Sequence, residues 1–131
     1  MAATESATDA LPVQNLTIGT YYVGVGDDIS LVKSAQFKWD ALLAATITFE
    51  DSNLPDAAIN SVVAGEWIPE NPSSAVISVV GGSATAATIT VPGTTAGGAM
   101  VHLGNLGSRR MRAKIVVTTL GSLRVRTHGK V

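Results

Sequence analysis

The chain has 131 residues and a mass of 13.4 kDa, the size of one domain and enough to build a core without covalent staples. It has no cysteine, which excludes disulfides and thiolate metal sites, and its net charge of −1 argues against a strongly basic nucleic-acid binder. Charged residues make up 15% of the chain against the ~25% of an ordinary soluble domain, and hydrophobic residues 46%. Such a surface is expected to be partly covered by partners.

The longest apolar run, Ala41 to Ala45, falls far short of the ~18 residues of a membrane-spanning helix. The N-terminal stretch has no basic segment followed by an apolar one, so no secretory signal is expected.

Residues 1–12 are rich in Ala, Thr and Ser and end at Pro12, which reads as a flexible arm, with a single domain over 13–131. Leu16 to Val23 is dense in strand formers, and Gly24, Gly26, Asp27 and Asp28 close it with turn chemistry. Ile29 to Val32 reads as a short strand. Gln36-Phe37-Lys38-Trp39-Asp40 and Ala45 to Glu50 alternate, which sets Phe37 with Trp39 and Ile47 with Phe49 and predicts Trp39 buried beside the latter pair. Ala41 to Ala45 reads as a helical turn or a bulged connection. Residues 56–68 read as one short helix or as an irregular crossing that carries Trp67. Strands are expected over Ala75 to Val80, Ala84 to Val91, Ala99 to Leu103, Arg110 to Thr119 and Leu123 to His128. Eight or nine short strands at roughly ten-residue spacing, with no long helical pattern, predict an all-β fold. The expected architecture is an antiparallel β-sandwich, for which a jelly roll is one arrangement.

The last two strands have marked faces. Met111, Ala113, Ile115 and Val117 share one side of the first and Arg110, Arg112 and Lys114 the other; Leu123 and Val125 oppose Arg124, Arg126 and His128 in the second. Paired side by side, they match apolar to apolar only when partner numbers sum to an even value, as for Val117 with Val125. A three-residue loop over Leu120 to Ser122, or a bulge, gives that match and a hairpin with one basic face.

Charge is divided along the chain. Residues 1–70 hold 10 acids and 2 bases, net −8, and residues 71–131 hold 7 bases and no acid, net +7. Two compensations are open: acidic strands beside basic ones in one subunit, or the basic half of one subunit against the acidic half of another.

No catalytic set emerges. Gly26-Asp27-Asp28 reads as a turn, and His102 and His128 are too few for a histidine metal site. Glu50 and Asp51 are adjacent and so point to opposite faces of a strand. Neither a nucleophile elbow nor a dinucleotide fingerprint occurs. The strongest local signal is the basic set Arg109, Arg110, Arg112, Lys114, Arg124 and Arg126. Nucleic-acid contact calls for interleaved aromatics, which this region lacks. Arginine forks suit a carboxylate-bearing protein surface, so these six residues form the candidate interface.

Several stretches resemble small structural proteins of tailed-bacteriophage virions. They are Phe37-Lys38-Trp39-Asp40 with Ala45 to Asn53, then Glu66-Trp67-Ile68-Pro69-Glu70-Asn71-Pro72, then Val101 to Lys114 and Val125 to Lys130. Together they cover roughly residues 36–130. The resemblance implies a β-sandwich without catalysis or cofactor that assembles on a particle as a capsid decoration (cement) protein. Its implied partners are the major capsid protein and further copies of itself, a trimer being favoured, with no nucleic acid and no membrane. The implied location is the capsid exterior, after synthesis in the bacterial cytoplasm. The motifs do not separate decoration proteins from a head-fibre or tail-associated module that binds a receptor or carbohydrate. An aromatic platform for sugar would mark the second reading.

Overall fold

The structure, a computed structural model, describes residues 5–26, 32–69, 77–86, 88–103 and 110–130. They form two packed antiparallel sheets with no helix among them: a β-sandwich. The strands are β1 (Glu5–Leu16), β2 (Gly19–Gly26), β3 (Val32–Trp39), β4 (Ala44–Ser52), β5 (Ile68–Pro69), β6 (Ile77–Val80), β7 (Ser83–Thr85), β8 (Thr88–Pro92), β9 (Gly97–His102), β10 (Arg110–Thr119) and β11 (Gly121–Lys130). Sheet A runs β1-β11-β3-β9-β6; sheet B runs β2-β10-β4-β8-β7, with the short β5 also paired to β4.

Alternation builds the core. In β4, Ala45, Ile47 and Phe49 turn inward while Thr46, Thr48 and Glu50 turn outward. Met111, Ala113, Ile115 and Val117 of β10 join them from sheet B. Ala35, Phe37 and Trp39 of β3 and Leu123 and Val125 of β11 face them from sheet A. The rings of Phe37 and Phe49 meet edge to face across the two sheets, 6.1 Å between centroids at 74°. Trp39 is buried in the same core as Ile47 and Phe49.

β10 and β11 do not form the expected hairpin. β10 lies in sheet B between β2 and β4, and β11 in sheet A between β1 and β3. Val117 thus pairs with Gly19 and Ala45, and Val125 with Leu11 and Phe37. Two strands that are each apolar on one side satisfy that pattern as well by facing each other across a core as by lying side by side. The second arrangement would set arginines next to arginines, which is unfavourable. The crossing from sheet B to sheet A is tight, since a Cβ on Gly121 would collide with the Leu43 backbone. Only glycine permits that approach.

Residues 5–12 belong to β1 and are not a flexible arm. They pair along the edge of β11, from Glu5 opposite Lys130 to Leu11 opposite Val125. The strand was hidden because backbone pairing holds it rather than a regular apolar stripe. Its ladder is interrupted between Asp9 and Leu11 and again between Leu11 and Gln14. Pro12, which has no N–H to donate, sits in the second interruption.

The segment read as one strand over Ala84 to Val91 is two, β7 and β8, paired from Thr85 opposite Thr88. Ala86 takes a positive φ of 57° in the turn between them. Among the described residues the strands number eleven, where eight or nine were expected. Residues 40–43 form a turn closed by Asp40, whose Oδ1 accepts from the N–H groups of Leu42 and Leu43 at 3.1 and 3.0 Å. Residues 53–67 are the irregular crossing with buried Trp67, not the short helix. Asp27, Asp28 and most of the strand expected over Ile29 to Val32 lie outside the described residues.

Trp39→Ala removes a large side chain from a core that closes around it and is expected to cost about 3–5 kcal/mol in urea unfolding. A loss under about 1 kcal/mol would contradict this packing.

Candidate docking interface

The six residues of the candidate interface do not share a surface. Arg110, Arg112 and Lys114 lie on the outer side of sheet B, and Arg124 and Arg126 on the outer side of sheet A, a core's width away. Arg109 lies outside the described residues. The separation is a direct result of the placement of β10 and β11 in opposite sheets.

On sheet B, Arg112 is 3% exposed and its guanidinium is enclosed. Its Nε donates to Glu50 Oε1 at 2.8 Å, and its NH2 lies 2.7 Å from the same oxygen. Its NH1 donates to the carbonyls of Ile59 and Ser61, each at 2.7 Å. The cation stacks between two rings, 4.0 Å from the Tyr22 centroid and 4.5 Å from that of Trp67. Arg110 lies 5.2 Å from the Trp67 ring centre and donates through NH1 to Leu54 O at 3.1 Å and Ala57 O at 2.6 Å.

The crossing segment is thus fastened to the sheet by two arginines that satisfy four of its carbonyls. It adds bonds of its own: Trp67 Nε1 donates to Ala58 O at 2.9 Å, and Ser61 Oγ donates to the Glu66 carboxylate. Ile59 fits where Gly24, opposite Arg112 on β2, carries no side chain. A burial of this kind is tolerable because every face of the cation has a partner. Arg112 is therefore a clamp inside one chain and offers nothing to a second molecule. Lys114, half-buried between Tyr22 and Thr48 on the neighbouring strands, is part of the same face.

On sheet A the cations are accessible. Arg124 grips Asp9 of β1 with two bonds, Nε to Oδ1 at 2.8 Å and NH2 to Oδ2 at 3.3 Å, and Arg126 NH1 approaches Oδ2 at 3.2 Å. Their side chains remain 41% and 45% exposed. The hydrogen bond from Arg124, aided by the charge of both arginines, holds the Asp9 carboxyl below the usual range, and the same bond raises Arg124. Lys38 stands opposite Arg124 on β3, and Gln36 opposite Arg126. With these two arginines they line a hollow of about 250 Å³. Three cations here face one carboxylate.

Asp9, Gln36 and Lys38 were not among the candidate residues. The polar parity of Gln36 and Lys38 is visible in the sequence, but their pairing with β11 is not. Trp67 and Tyr22, the plates around Arg112, were also missed, because aromatic residues in an irregular crossing and on an edge strand carry no signal of a shared partner.

The two compensations left open by the divided charge are resolved for three arginines: Arg112 pairs with Glu50, and Arg124 and Arg126 with Asp9, all within the chain. A further surface feature is the end where the β1–β2, β3–β4 and β10–β11 turns meet. Ile18, Leu42 and Leu120 stand exposed there, on turns brought together by the Leu16–Gly121 pairing and the Gly121–Leu43 approach. Among the described residues no group of three or more potential ligands could hold a metal ion, and no helix is long and apolar enough to cross a membrane.

Arg112→Ala is expected to destabilise the fold by about 3–5 kcal/mol, since it strands Glu50 and the loop carbonyls. Elastase should then cut within residues 53–67 before any global unfolding. For Asp9, the lowered carboxyl makes its pairing a stabilising term that is complete above the ordinary value of 3.8 and drains away as pH falls through the lower folded value. Asp9→Asn should lower the melting temperature at about pH 7, by an amount that shrinks as pH falls below the ordinary carboxyl value of 3.8 and through the lower folded value. Scans with family models and a search of curated proteins return no match to this chain.

Proposed function

We propose that this protein is a non-enzymatic structural component of a bacteriophage virion, one that decorates the capsid exterior and stabilises the shell by docking onto it and onto further copies of itself. The observation that carries the reading is the accessible cationic face of sheet A, on a sandwich whose other described arginines, Arg110 and Arg112, are bonded to its own crossing segment. A rigid body with one charge-biased face suits oriented attachment to an acidic surface. The exposed apolar turn end, Ile18 with Leu42 and Leu120, adds surface that contact with a neighbour would shield from water.

The strand order supports the same reading at the level of fold. β1-β11-β3-β9 against β2-β10-β4-β8, with each step along these eight strands except β4 to β8 changing sheets, is the order expected of a jelly roll, to which β6 and β7 add one strand at each far edge. Jelly rolls serve viral capsids, lectins and cupins alike, so fold alone does not choose among them. The surface favours capsid attachment over a carbohydrate-binding fibre or tail module. All six Phe, Tyr and Trp side chains lie in the core, on sheet B or at the turn end, and none stands on the outer face of sheet A, where a sugar would need a stacking platform.

The test is electron cryomicroscopy of particles assembled with and without the protein. Density for the sandwich at regular positions outside the shell, lost from particles made without it, is the expected result. Density confined to the tail or fibres, or none on the particle, would overturn the assignment.

A further inference from the structure

The outer face of sheet A carries two adjoining hollows with common walls. One is the cationic hollow of about 250 Å³ lined by Gln36, Lys38, Arg124 and Arg126. The other, about 530 Å³, extends across β9 and β6 and is also bordered by Gln36 and Lys38, with Val80, Gly98 and Met100 among its lining residues. The register explains the adjacency. One row across the sheet reads Val80, Gly98, Lys38, Arg124; the next reads Ser78, Met100, Gln36, Arg126, Asp9. Each row passes from apolar or neutral residues to an arginine, and the second continues to Asp9.

We propose that this pair of hollows binds a segment of a partner protein in which a carboxylate side chain stands beside an apolar one. The carboxylate enters between Lys38 and the two arginines, and the apolar side chain lies against Val80 and Met100. Four observations lead to this ligand. Lys38 and Arg124 are like charges placed directly opposite each other, an arrangement that costs stability until an anion sits between them. Asp9 already shows how this surface holds a carboxylate, through the Arg124 fork and Arg126, and one acid against three cations leaves room for a second. β3 is paired on both sides, so its backbone N–H groups face its neighbours and do not form the amide nest that phosphate sites use. No Phe, Tyr or Trp stands on this face, and its two histidines, His102 and His128, lie in the next row opposite Ser34 and line neither hollow, so the hollows hold no stacking platform of the kind a nucleobase or sugar would use. That the segment belongs to a capsid shell rests on the functional reading above; the chemistry of the hollows does not.

The test maps amide shifts in the isotope-labelled full chain on titration with the peptide acetyl-Gly-Asp-Leu-Gly-amide. Two control peptides replace Asp by Asn or Leu by Gly, and inorganic phosphate is titrated separately. Shifts on β3, β9 and β11 that weaken with either control peptide are expected. Lys38→Ala should weaken binding about three- to fivefold, the scale of one exposed ion pair, and Lys114→Ala, which changes net charge equally from the other sheet, should not. Equal binding of the Asn peptide, equal weakening by both lysine variants, or phosphate competing as well as the peptide would overturn the proposal. If the peptide binds as expected while Lys38→Ala leaves particle attachment unchanged, the hollows stand and the shell is not their partner.

Discussion

The structure depends on one insertion. The two C-terminal strands enter the middle of the two sheets, β10 between β2 and β4 and β11 between β1 and β3. Neither sheet has a continuous ladder until the last twenty or so residues are in place. All four pairings of the inserted strands join residues 5–52 to residues 110–130. Such long-range closure is entropically demanding, which makes folding slow compared with a fold of local hairpins.

The same insertion accounts for the charge pattern. The acid-bearing strands β1 and β4 come from the first half of the chain and the arginine-bearing strands from the second, so the insertion sets each arginine-bearing strand beside one acid-bearing strand. Glu50 stands opposite Arg112 in the β4–β10 ladder, and Asp9 opposite Arg126 in that of β1 and β11. Compensation by topology leaves little need for charge elsewhere, in keeping with a chain in which only 15% of residues are charged.

The two outer faces then diverge because only one of them is covered. On sheet B the crossing segment of residues 53–67 lies over the arginines, and Tyr22 and Trp67 exclude water from Arg112. The ion pair there is strong but closed. On sheet A nothing in the described residues lies over Arg124, Arg126 and Lys38, so the pairing of the two arginines with Asp9 is screened by solvent and contributes little to stability. What such a face retains is the capacity to orient a charged partner.

The sequence by itself determined the features that the two-residue period of a strand dictates. It marked the all-β class, the inward side of Phe37-Lys38-Trp39 and of Ile47-Thr48-Phe49, and the sorting of Met111 to Val117 into an apolar and a basic side. These features are local, and each requires only that a strand have two faces. The tertiary structure alone decided which strand lies beside which, because ladder hydrogen bonds join backbones that are alike at every residue but proline. That choice turned residues 5–12 from an arm into an edge strand, moved β10 and β11 into opposite sheets, and divided one basic patch into a buried clamp at Arg112 and an open hollow beside Lys38. Charge and parity were legible along the chain. Their meeting in space required knowing that β3 is the neighbour of β11, which no residue in either strand specifies.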